Sequence, residues 1–133
     1  MRRVFADSFY FFALMNENEI PHKRAREYAN AFAGEFVTTA WVLTELADGL
    51  ARPRFRSLFL KLYDDLSGSV NVNIVPCSPE LMNAGLDLYR RRLDKAWSLT
   101  DCISFVVMQC EGIAEALTGD QHFEQAGFVA LLK

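Results

Sequence analysis

Three cysteines in 133 residues, none in C-x-x-C spacing, leave no basis for a disulfide framework or a zinc-binding motif. They are Cys77, Cys102 and Cys110, an odd count that fits a reducing cytoplasm. Histidine is rarer still. His22 and His122 are the only two, and each reads as a surface or packing residue rather than a base. Ser8, Ser98 and Ser104 have no evident His and acid partners, so a Ser–His–Asp hydrolase finds little support. No glycine-rich phosphate loop of either common type is present. Long hydrophobic runs are missing too. The apolar stretch after Met1-Arg-Arg3 is interrupted by Asp7 and closed by Asn16-Glu-Asn-Glu19, too short and broken for a membrane span or a cleaved leader. Nor is there net positive charge: 14 Lys and Arg against 17 Asp and Glu leave −3. Binding to an anion must therefore come from a local patch.

What is present is an ordinary globular composition, 51% hydrophobic and 23% charged, with eleven Phe that point to an aromatic-rich core. A chain of this length is expected to form one domain, residues 1–133, burying about two-thirds of its unfolded surface. No linker, repeat or low-complexity segment divides it.

Strand and helix patterns alternate along the chain. Val4-Phe-Ala6 reads as a strand ending at Asp7, and Ser8–Met15 as a buried helix. Pro21 opens a helix from His22 to about Ala33, stopped by Gly34. Glu35–Thr39 is a second strand with a threonine cap, followed by a helix over Ala40–Leu50. A helix over Pro53–Ser67 turns Phe55, Leu58, Phe59 and Leu62 inward, and Val70–Val75 alternates as a strand. Ser78-Pro79-Glu80 opens a helix ending in Arg90-Arg-Arg92. Ser98 caps another that runs to about Glu111, with Cys102 and Cys110 acting as small hydrophobes. Ala116–Thr118, a short turn or helix over Gln121–Ala126, and Phe128–Leu132 complete the series. Such alternation argues for an α/β fold, a parallel sheet between helical layers, with sites at the carboxyl ends of its strands.

Four acids fall at such places. Asp7 and Asp120 follow strands, Asp101 lies in the first turn of a helix, and Glu45 lies about two turns into one. Each has an ordinary reading beside the functional one. Asp7 can cap the next helix, and Asp120 can be a turn aspartate after Thr118-Gly119. Asp101 can close a capping box with Ser98. Glu45 is harder to dismiss, since a glutamate among Trp41, Val42, Leu46 and Ala47 needs a partner if buried. Carboxylates gathered at one sheet edge repel one another unless a cation joins them. An all-oxygen donor set suits Mg²⁺ or Mn²⁺, and so phosphodiester chemistry. Arg52, Arg54, Arg56 and Lys61 form one basic cluster, and Arg90, Arg91, Arg92 and Lys95 another. Taken singly these are helix-end charges; beside a metal site, one of them is the place for a nucleic-acid backbone.

With these acids in view the chain resembles the PIN domain family, specifically the VapC-type toxin ribonucleases of toxin–antitoxin pairs. The likeness rests on Val4-Phe-Ala-Asp7-Ser8, Thr44-Glu45-Leu46, Ser98-Leu-Thr-Asp101-Cys-Ile-Ser-Phe105 and Leu117-Thr-Gly-Asp120-Gln-His-Phe123 with Ala126-Gly-Phe128. His22-Lys-Arg-Ala25 is similar to the family's second helix. The resemblance implies a three-layer fold with a five-stranded parallel sheet, order 3-2-1-4-5, flanked by helices. It further implies Asp7, Glu45, Asp101 and Asp120 around Mg²⁺ or Mn²⁺, with Ser98 or Thr100 as a supporting or substrate-side hydroxyl. It implies an RNA substrate, an antitoxin whose segment enters the active-site groove, and a homodimer. Arg52, Arg54, Arg90 and Arg91 are the candidate RNA contacts. Phe9 departs from the pattern, standing two places after the first Asp where relatives carry a small polar residue. Two other readings remain: a catalytically silent PIN-like scaffold that binds a protein, and a phospho-acceptor receiver domain. The second needs a lysine near a late strand, and none lies between Lys95 and Lys133.

Overall fold

Strand β1 (Arg3–Ala6) has Val4, Phe5 and Ala6 buried almost completely, as a strand covered on both faces must be. The computed structural model describes residues 1–133 and sets β1 at the centre of a five-stranded sheet. From β1 the chain passes through α1 (Ser8–Met15) and α2 (His22–Ala31) to β2 (Glu35–Thr39). It then takes α3 (Ala40–Gly49) and α4 (Pro53–Ser67) to β3 (Val72–Val75). The second half runs through α5 (Pro79–Arg91) and α6 (Leu99–Glu111) to β4 (Glu115–Leu117), then α7 (Gln121–Gln125) and β5 (Val129–Ala130). The order is β3-β2-β1-β4-β5 and every pairing is parallel. This is the α/β topology expected above.

The strand order reverses at β1, which pairs with β2 through Phe5 and Val37 and with β4 through Phe5 and Ala116. Reversal sends the connections after β1 and β4 in different directions and opens a crevice at their carboxyl ends. Local chemistry sets the helix starts beside it. Thr39 caps α3 by accepting from the Val42 N–H at 3.1 Å, and Ser78 caps α5 from Leu81 at 3.2 Å. Ser98 and Asp101 form a reciprocal capping box at the start of α6.

The core is as aromatic as the composition suggests. Phe105 meets Trp97 at 5.1 Å and Phe123 at 4.9 Å, both edge-on, and Phe123 reaches Phe5 at 6.3 Å. The helices α5 and α6 pack closely at Gly85, where a Cβ would stand 2.4 Å from Ile103 Cγ1. No helix is long and apolar enough to cross a membrane.

Several details differ from the expectation. Helix α2 stops at Ala31, before Gly34, and α3 at Gly49. The strand read over Val70–Val75 begins at Val72, with Val70 fully exposed in the preceding turn. The last strand is only Val129–Ala130, although Leu131 and Leu132 still donate to the Ala116 and Thr118 carbonyls. Helix α4 buries no residue completely: Phe55, Phe59 and Leu62 are half-buried against the core, but Leu58 is exposed. Its apolar residues extend round the helix beyond the stripe that its neighbours cover. Cys110 is exposed near the end of α6, while Cys102 is buried.

Candidate active site

The crevice beside β1 holds a cavity of about 320 Å³ lined by Asp7, Ser8, Glu45, Ser98, Asp101, Asp120 and His122, with Phe9 and Phe12 forming an aromatic wall. Four segments that lie far apart in the chain supply its carboxylates. Asp7 is the N-cap of α1, Glu45 stands on α3, Asp101 in the first turn of α6, and Asp120 is the N-cap of α7. The ordinary cap and turn readings of Asp101 and Asp120 therefore hold together with their shared position.

Each acid is held through one oxygen. Thr118 Oγ1 donates to Asp7 Oδ2 at 2.9 Å, inside the core, and Ser8 Oγ donates to Glu45 Oε1 at 2.5 Å. The Ser98 N–H donates to Asp101 Oδ2 at 3.1 Å. The His122 N–H donates to Asp120 Oδ1 at 2.9 Å. No protein donor reaches Glu45 Oε2, Asp101 Oδ1 or Asp120 Oδ2. Nor does any lysine or arginine form an ion pair with the four acids.

The electrostatics follow from this arrangement. Asp7 is only 4% exposed. Burial pushes its carboxyl up to about 7, assisted by the charges of Asp101 and Glu45 and opposed by the Thr118 hydrogen bond. Asp101, 8% exposed, is raised in the same direction by burial and by the charge of Asp120, against the pull of the Ser98 N–H and His122. A set of converging acids with unused oxygens and no counter-cation is a fitting seat for a hard divalent ion.

Of the residues singled out from the sequence, the structure brings Asp7, Glu45, Ser98, Asp101 and Asp120 to one cavity. Thr100 is half-buried in the first turn of α6 and does not line it. Arg52, Arg54, Arg90 and Arg91 are exposed and do not line it either. Arg54 lies over the Phe55 ring at 4.7 Å, and Arg90 pairs with Asp87 at 3.4 Å.

Two of the cavity's polar groups correct the reading of the sequence. His122 is not a surface or packing residue. Its Nδ1 lies 3.1 Å from Asp101 Oδ2 and 3.3 Å from Asp120 Oδ1, and ligand atoms of these three residues fall within 4.8 Å of one another. Ser8, set aside for want of a partner, is hydrogen-bonded to Glu45. His22 keeps its packing role, with Nδ1 2.8 Å from the Ala13 carbonyl. Thr118 was not singled out at all. Its hydroxyl gives to Asp7 and accepts from the Asp120 N–H at 3.0 Å, which supplies the polar support that Phe9 cannot. Phe9 instead lays its ring edge on Gly119, where a Cβ would come within 2.5 Å of Cζ.

The model of the PIN domain family matches residues 4–129. The chain belongs to the PIN domain family. The crystal structure of VapC20 from Mycobacterium tuberculosis, described as a sarcin-ricin loop cleaving toxin, is 25% identical to this PIN domain, with a TM-score of 0.85. That alignment covers 95% of this chain and 96% of VapC20. FitAcB from Neisseria gonorrhoeae is 15% identical with a TM-score of 0.67, covering 96% of this chain and 94% of that one, and shares the fold. No curated protein sequence matches this PIN domain significantly.

Proposed function

We propose that this PIN domain is a metal-dependent endoribonuclease acting as the toxin of a toxin–antitoxin pair. The observation that carries the reading is the cavity itself: four acids from four elements, each fixed through one oxygen, with no lysine or arginine among them. The likeness to VapC20 supports RNA as the substrate class. The family match sets aside the receiver-like alternative.

Asp7, Glu45, Asp101 and Asp120 are the residues that would hold Mg²⁺ or Mn²⁺. Such an ion supplies an activated water and stabilises charge on the phosphate in an in-line displacement. The chain's own groups set the stage for it. Thr118 and Ser8 fix Asp7 and Glu45, and the Ser98 capping box fixes Asp101, so the acids do not have to reorganise when charge develops. Phe9 and Phe12 screen one side of the cavity from water. Arg52, Arg54 and Arg91, exposed and without an ion pair to a protein acid, are the contacts we assign to the RNA backbone, together with Arg90, the chain neighbour of Arg91. An antitoxin, a homodimeric assembly and a cytoplasmic setting complete the proposal.

The test is cleavage of structured RNA by antitoxin-free protein in Mn²⁺ and in EDTA. Fragments are expected with Mn²⁺ and intact RNA with EDTA. Cleavage that persists in EDTA would overturn the metal requirement. Intact RNA in both, with no Mn²⁺ bound by calorimetry, would favour the silent scaffold.

Thr118 offers a finer check. Thr118→Val keeps the shape but removes the donor to Asp7 and the acceptor for Asp120. The expected loss in Mn²⁺ affinity or in kcat/KM is about 10- to 100-fold, the usual effect of removing a support behind a metal ligand. Thr118→Ser should recover most of it. Wild-type values for the valine variant would deny the hydroxyl this role.

A further inference from the structure

His122 is the one residue whose side chain reaches the carboxylates of two of the four acids. Its backbone N–H and ring Nδ1 both address Asp120 Oδ1, at 2.9 and 3.3 Å, and Nδ1 also addresses Asp101 Oδ2 at 3.1 Å. Both neighbours of Nδ1 are acceptors, which assigns the ring hydrogen to that nitrogen. Asp101 stands on α6 and Asp120 at the start of α7, and the charge of Asp120 pushes against Asp101. The oxygens His122 engages are those already held by the backbone, and Asp101 Oδ1 and Asp120 Oδ2 are left without a donor.

We propose that His122 is a positioning residue that latches Asp101 to Asp120, orienting their unused oxygens for a divalent cation. The inference rests on the metal-dependent reading above, and its test separates the two. His122 acts as a hydrogen-bond donor at a fixed place, not as a ligand and not as the base of a serine triad. The requirement is thus for an N–H at the position of Nδ1. An asparagine amide nitrogen is attached to Cγ just as Nδ1 is and can take that place. A glutamine amide is one carbon further out and cannot.

The experiment titrates the full-length protein with Mn²⁺ alone, following free Mn²⁺ by electron paramagnetic resonance, for wild type, His122→Asn, His122→Gln and His122→Ala. Thermal melts in EDTA confirm that each variant is folded. His122→Ala and His122→Gln should bind Mn²⁺ about 10- to 100-fold more weakly, and His122→Asn within about threefold of wild type. Should the alanine variant fail to fold, the Asn and Gln pair decides alone. Wild-type affinity in His122→Gln, or an Asn variant as weak as the Gln variant, would overturn the latch and leave the nuclease reading standing. Wild type that binds no Mn²⁺ would overturn both.

Discussion

Asp7→Asn should reduce RNA cleavage by about a thousandfold while making the metal-free protein more stable at alkaline pH. The loss follows from removing a charge aimed at the cation. A metal's stabilisation of the transition state amounts to several kcal/mol, and each 1.36 kcal/mol is a factor of about ten. The gain follows from burial. A carboxylate held at 4% exposure between two other acids is strained while ionised, and an amide is not. Asparagine keeps an oxygen that can accept from Thr118, so the change is close to a deletion of charge alone.

The pH dependence of that gain is fixed in sign. In the unfolded chain Asp7 ionises near the ordinary aspartate value of 3.8, and in the fold at about 7. The folded state therefore binds the proton more tightly. Below about pH 4 both states are protonated and Asp7 has no effect on stability. Between about pH 4 and 7 the unfolded state gains from ionisation while the fold resists it, and stability falls. Above about 7 the penalty is constant, on the order of 4 kcal/mol as an upper figure for a shift from 3.8 to about 7 at 1.36 kcal/mol per pH unit. Urea titrations at pH 5 and pH 8 should show wild type losing stability across this window and Asp7→Asn losing much less. Asp101 contributes in the same direction, so a residual slope is expected in the variant. Mn²⁺ at pH 8 should restore the wild type, by about 2.7 kcal/mol at a hundred times its Kd, and leave the variant nearly unmoved. Equal pH slopes in the two proteins would refute the account.

How much of this was legible follows from the range over which each contact acts. Asp7, Asp101 and Asp120 could be found because strand ends and helix starts are local patterns. Glu45 stood out because its helical neighbours are apolar. The strand order needed more than alternation, and came with the family resemblance. Thr118 escaped because its partner lies 111 residues away, and nothing in Leu117-Thr-Gly119 announces a donor to Asp7. His122 escaped because its importance depends on α7 lying beside the start of α6, a tertiary fact. The pattern Phe55, Leu58, Phe59, Leu62 correctly marked α4 as amphipathic, but periodicity cannot say how wide a stripe the neighbours will cover. Leu58 and Leu60 fall outside it, at 42% and 58% exposure.

Phe123→Ala should cost about 3–5 kcal/mol of folding stability, the range for truncating a buried Phe, and should also loosen the candidate site. The ring is fully buried and meets Phe105 and Phe5, so its loss removes aromatic contacts as well as area. Helix α7 has five residues, far too few to be stable by itself, and Phe123 is its one buried side chain. That apolar anchor, with the Trp97 indole N–H donating to Gln125 Oε1 at 3.0 Å, holds Asp120 and His122 where Asp101 can meet them. Ile113→Ala, in the turn before β4, is the control: it removes a buried side chain at a cost of about 2–5 kcal/mol but leaves the α7 anchor intact. At a temperature where both variants remain folded, urea midpoints should fall in both, and Mn²⁺ affinity only in Phe123→Ala. Similar losses of affinity in the two would mean that general destabilisation, not the seating of α7, governs the site. An unchanged affinity in Phe123→Ala would mean that Asp120 and His122 are held by their hydrogen bonds alone.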